Sequence, residues 1–127
     1  EKFSFSLGGC QFIGTEKYIT FFRDRRSLLS QDVASGDVVL WGNSIKISIC
    51  GPVGQIATLA PLGKRGWLKI RRASDYEKPI NMPHTVHYSM PCLFDENGIL
   101  HVPGIKYYRP KDKINNLRIS SVKFVFN

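Results

Sequence analysis

The chain has 127 residues, enough for one domain with a buried core. Its hydrophobic share of 43% and aromatic share of 12% are those of a globular fold and exclude a disordered chain. Eighteen Lys and Arg against ten Asp and Glu give a formal net charge of +8, which attracts polyanions and disfavours basic partners. Nucleic acid is the commonest polyanion for such a domain, with an anionic membrane surface as the rival. No apolar run approaches the ~20 residues needed to span a bilayer, and no signal-peptide pattern opens the chain. Cys10, Cys50 and Cys92 are sparse and odd in number, which gives no disulfide framework and points to a reducing compartment. The start at Glu1, directly before strand-like sequence, predicts a piece of a longer protein.

In chain order, "KFSFSL" alternates Phe3, Phe5 and Leu7 with serines, the period of a strand with one apolar face. "CQFI" and "KYITFF" flank Gly14-Thr15-Glu16, a short hairpin connection. "RDRRSLLSQDVASGD" reads as a long loop with at most one helical turn at Ser27 to Gln31. "VVLW" and "SIKISIC" are strands on either side of the turn pair Gly42-Asn43, with Ile45, Ile47 and Ile49 on one face. "QIATLA" is a further short strand. From Pro61 the spacing turns helical: in "LGKRGWLKIRRASDYEKP", Trp67 and Ile70 lie three apart. A second short helix is predicted at "PHTVHYS", with Pro83 in its first turn. "PCLFD", the turn "ENG" and "ILHVPG" form a hairpin, and "LRISSVKFVF" puts Val122, Phe124 and Phe126 on one face of a last strand. These elements predict a mainly β domain, a sandwich or small barrel, with two or so short helices packed on it.

Catalytic chemistry finds little support. No GxxxxGK[ST] phosphate loop exists, and Gly8-Gly9, Gly51, Gly54 and Gly63 read as turn glycines. His84 and His87 lie three apart, with Cys92 and His101 beyond, but a zinc site wants four ligands in paired spacings. A solvent-facing polar pair explains them better. No serine sits in a G-x-S-x-G elbow. Asp95 and Glu96, in "DENG", suit a turn.

The strongest candidate is the basic cluster Lys64, Arg65, Lys69, Arg71 and Arg72. Arginine offers a planar fork matched to phosphate oxygens, and Trp67 and Tyr76 interleave, as in many nucleic-acid sites. The competing explanation is a solvated helix face with Trp67 in the core, and both hold together if Trp67 anchors the helix while the cations face out. Secondary patches are Arg23, Arg25 and Arg26, and the group Lys106, Arg109, Lys111 and Lys113.

The order of "SLGGCQF…YITFFRD", "VVLWGNSIKI", "LAPLGKRGW" and "MPHTVHYSMPCLFDENGILHVPGI" resembles the C-terminal region of bacterial tRNA(Ile)-lysidine synthases, especially the alphaproteobacterial branch. The last block is the most specific: Pro83, Pro91, Leu93, Phe94, Asp95, Gly98, Leu100, Val102 and Pro103 all match the family pattern. Gly42-Asn43 stands where the family has Asp-Gly, and Gly104 where many relatives have His. The resemblance implies a parent enzyme that uses ATP, with magnesium, to join lysine to the wobble cytidine of the isoleucine tRNA with a CAU anticodon. That chemistry would belong to an N-terminal domain whose "SGG.DS" loop is absent here, so no residue of this chain inherits a catalytic, cofactor or metal role. It further implies a cytoplasmic setting and a β-sandwich like one in the β subunit of phenylalanyl-tRNA synthetase. Residues 1–127 would be one C-terminal tRNA-binding domain, strand-rich over 1–60 and helix, hairpin and strand over 61–127. The alternative is a non-catalytic module docking on its own catalytic domain or on a partner subunit.

Overall fold

A computed structural model describes residues 3–7, 10–14, 30–41, 45–72, 88–109 and 115–124. The described residues form a mixed α/β domain, mostly antiparallel sheet with one α-helix, and its sheets are open. β1 (Phe3–Leu7) and β2 (Cys10–Gly14) pair as a hairpin. The segment expected to pair with β2, "KYITFF", lies outside the described residues, as do Gly42-Asn43 and most of the predicted second helix. Tyr88 and Ser89, its last two residues, form a turn.

A three-stranded sheet is built from β4 (Val38–Trp41), β5 (Ile45–Cys50) and β10 (Arg118–Phe124), in the order β10-β5-β4. Alternation does what the sequence predicts: Ile45, Ile47 and Ile49 are buried while Lys46 is exposed. In β10 a register shift between Ile119 and Ser121 inserts one residue. That bulge turns both Ile119 and Val122 inward, although their odd spacing would put them on opposite faces of a regular strand.

A five-stranded sheet follows the order β3-β6-β7-β8-β9. It contains β3 (Gln31–Ala34), β6 (Ile56–Pro61), β7 (Pro91–Asp95), β8 (Gly98–Val102) and β9 (Tyr107–Tyr108). β3 corrects the expectation of a loop over these residues. It has four residues and one buried side chain, Val33, so it carries almost no periodicity, and its pairing with β6 holds it extended. Ser35 and Gly36 turn the chain from one sheet to the other. The Asp37 carboxylate accepts from the Ala34 amide at 2.8 Å, and Gly36 and Asp37 exchange backbone hydrogen bonds with Ile49 of β5. Inward residues of both sheets, including Trp41, Ile47, Leu59, Leu93, Leu100 and Val122, join one hydrophobic core.

After β8 a 3-10 turn, Pro103–Ile105, leads to Lys106 in the left-handed region, and the chain returns as β9. The two sheets are tied together here. The Nδ1 of His101, on β8, accepts a 3.0 Å hydrogen bond from the Ile119 amide of β10. Its ring lies 4.8 Å from that of Tyr108, whose hydroxyl donates to the carbonyls of Asn116 (3.1 Å) and Leu117 (2.9 Å). The Gln55 amide donates to the Asn115 carbonyl at 2.7 Å, so the entry to β10 is held from two sides.

Candidate nucleic-acid interface

The helix α1 spans Gly63–Arg71. Its entry is fixed by backbone bonds from Leu62 and Gly63 to the carbonyls of Met90 (2.9 Å) and Tyr88 (2.7 Å), which join it to the lead-in of β7. Gly66, Trp67 and Ile70 are buried. A Cβ on Gly66 would meet the Leu62 side chain at 2.7 Å and the Ile99 side chain at 3.4 Å, so this glycine allows the helix to lie close over β8. Trp67 is 1% exposed and anchors the helix, which rules out its indole as a stacking surface for a base.

Lys64, Arg65, Lys69, Arg71 and Arg72 are all exposed. At roughly 100° per residue they occupy one side of the helix, opposite Gly66 and Ile70. Among the described residues no carboxylate lies in ion-pair reach of any of them. Lys69 and Arg71, in the last turn, have a stabilising role, because cations there complement the negative end of the helix dipole. Lys64 and Arg65 do not: they stand in the first turn, where the dipole is positive, and that turn holds no acidic residue. Each placement costs about 0.3–1 kcal/mol in an isolated helix, and no carboxylate among the described residues offsets it.

The tail patch is placed in part. Arg23, Arg25 and Arg26, like Lys111, Lys113 and Tyr76, lie outside the described residues. Lys106 is exposed beyond the 3-10 turn. Arg109 is part-buried and clamped by Asp95 through two parallel bonds, Nη1 to Oδ1 at 3.0 Å and Nη2 to Oδ2. Asp95 also accepts from the Asn97 amide at 2.9 Å, the turn role expected of it. Its pairing with Arg109 had no signal in the sequence, because the partners are fourteen residues apart and meet only when β9 folds back beside β8. The Arg109 guanidinium holds the Asp95 carboxyl below its usual value. Replacing Asp95 with Ala is expected to cost about 1–2 kcal/mol, the scale of a charge-assisted hydrogen-bond pair with partial exposure. A urea-unfolding double-mutant cycle with Arg109→Ala checks this, and additive single costs would contradict it.

Lys69 and Arg109 line the same cleft. An open cleft of about 200 Å³ lies where α1 crosses the β7–β8 turn, lined among others by Lys69, Ile70, Asn97, Ile99, Tyr107 and Arg109. This convergence of helix and tail patches was invisible in the sequence. His84 and His87 lie outside the described residues. Burial raises the Cys92 thiol well above its usual value, so it behaves as a core residue. Among the described residues no group of three His, Cys, Asp or Glu side chains could hold a metal ion, and no helix is long and apolar enough to cross a membrane. No protein-family model, curated protein or solved structure matches the chain.

Proposed function

We propose that this domain binds RNA, and tRNA in particular, through the cationic face of α1. The observation that carries the reading is the set of five exposed cations on one helix side, with no carboxylate in ion-pair reach among the described residues and two of them placed against the helix dipole. Phosphates laid along that face would offset both the mutual repulsion and the dipole penalty. Lys and Arg contacts of this kind position a nucleic acid without reading its bases, and recognition then follows the shape of the folded RNA. The motif order adds the finer reading: a β-sandwich C-terminal domain of a tRNA(Ile)-lysidine synthase, cytoplasmic, holding tRNA for a separate catalytic domain that uses ATP and lysine.

The test is a titration of the 127-residue chain with bulk tRNA at two salt concentrations. Binding is expected to fall steeply with salt, because each neutralised phosphate releases counterions. Arg71→Ala with Arg72→Ala should weaken binding on the order of tenfold and reduce the logarithmic salt slope by about 2, without unfolding the domain. Unchanged affinity in the double variant would remove this face from the site.

A second reading has its own observation. Val38 and Leu40 of the edge strand β4 are 57% and 58% exposed, beside Lys46 on β5. Aliphatic side chains on an open sheet edge suit a protein partner, such as a catalytic domain of the same polypeptide. Such a module would show no salt-sensitive affinity for tRNA, so the same titration separates the two.

A further inference from the structure

The cleft beside α1 has a composition that the helix face alone does not. Its volume of about 200 Å³ is below the roughly 300–1,000 Å³ of pockets that enclose a whole small molecule. An open cleft of this size would enclose only part of a nucleoside triphosphate, which is the scale of one unit of a polymer bound alongside. Lys69 supplies one cation with no carboxylate in ion-pair reach among the described residues, while Arg109 is already held by Asp95. Ile70 and Ile99 supply apolar wall, the half-buried Tyr107 an aromatic ring, and Asn97 a carboxamide with both donors and an acceptor. One cation, one aromatic ring and one amide match one phosphate, one base face and one base edge.

Helix geometry makes the cleft continuous with the cationic face. Arg65, Lys69 and Arg72 are spaced four and three apart, so they form a single stripe along α1. Lys69 belongs both to that stripe and to the cleft wall. A strand lying along the stripe therefore passes the cleft mouth.

The geometry points to a subsite in which the cleft takes one unpaired nucleotide of the bound RNA, its base against Tyr107 and its phosphate on Lys69. This inference rests on the RNA-binding reading and adds to it a preference. In a duplex both faces of a base are stacked and its pairing edge is occupied, so only a nucleotide from a loop, bulge or end can enter.

The test compares a short oligouridylate with a duplex RNA of equal phosphate count, by fluorescence anisotropy with the 127-residue chain. Tyr107→Ala should lower oligouridylate affinity about fivefold or more, the scale of one lost base–aromatic stack, and leave duplex affinity unchanged. Tyr107→Phe should keep wild-type affinity, because the ring face and not the hydroxyl makes the contact. Lys69→Ala should weaken both RNAs. As a measurement on unaltered protein, uridine 5′-monophosphate should shift the amide resonances of Asn97, Gly98 and Ile99; this decides the matter if Tyr107→Ala fails to fold. Equal effects of Tyr107→Ala on both RNAs, or no shift at these amides, overturn the subsite while leaving RNA binding by the helix intact. If neither RNA binds the wild-type chain, the RNA-binding reading falls and the subsite with it.

Discussion

Between pH 6.5 and pH 4 the domain is expected to lose about 3 kcal/mol of stability through one side chain, His101. Burial, reinforced by the charge of Arg118, lowers the pKa of His101 from 6.5 to about 4. Its Nδ1 accepts from the Ile119 amide, so the native ring is neutral with its proton on Nε2. The sign follows directly. Above pH 6.5 neither state holds the extra proton and the group contributes no slope. Between 6.5 and about 4 the unfolded chain takes up a proton that the native state refuses, so stability falls as pH falls, by about 1.4 kcal/mol per pH unit. Below about 4 the native ring is protonated as well and the His101 slope ends. Asp95, held below 3.8 by Arg109, then contributes the next loss as pH drops through its own lowered value. Urea unfolding at a series of pH values measures the slope. His101→Phe should remove that slope, and at pH 7 it should cost about 1–3 kcal/mol because the Ile119 amide loses its acceptor. Equal slopes in wild type and His101→Phe would show that the β8–β10 tie does not set the acid response.

The second large effect is expected at Gly51, between β5 and β6. Its φ of 137° is one that side chains disfavour. A Cβ there would stand 2.9 Å from the Leu117 Cα and 3.0 Å from the Asn116 carbonyl oxygen. These are backbone atoms of the segment that Tyr108 and Gln55 already fix, so they cannot swing aside as the end of a side chain can. Gly51→Ala is expected to cost about 3 kcal/mol, from overpacking added to backbone strain. Gly54→Ala is the control. It has a φ of 93° with nothing within 4 Å, so only conformational strain applies, about 1 kcal/mol. Thermal or urea unfolding of the two variants should separate them clearly. Equal costs would mean that the β5–β6 turn does not approach the β10 entry in solution.

Both predictions concern the seam between the two sheets, on which the site depends. The five-stranded sheet carries α1 through the Leu62 and Gly63 backbone bonds and through Ile99, and it carries Tyr107 and Arg109 on and beside β9. Loosening the seam would therefore blur the cleft as well as lower stability.

Helical spacing in α1 left Trp67 open between a core role and a base-facing one, and its burial decided that. Length-two alternation in β5 was enough to place Ile45, Ile47 and Ile49 on one buried face, because burial of one face is a local, periodic demand on sequence. The same holds for the β7–β8 turn, where Asp95, Asn97 and Gly98 satisfy local backbone geometry. The cationic face of α1 was legible for the same reason, since five cations within nine positions need only a helix to align them. Tertiary structure decided the rest. β3 and β9 have four and two residues, too short for a period to show, and exist because β6 and β8 offer them hydrogen bonds. The Asp95–Arg109 clamp, the His101–Ile119 tie, the close approach at Gly51 and the cleft shared by Lys69 and Tyr107 all join residues distant in sequence. Such contacts leave no periodic trace along the chain, because each is set by how one element crosses another and not by the order of its own residues.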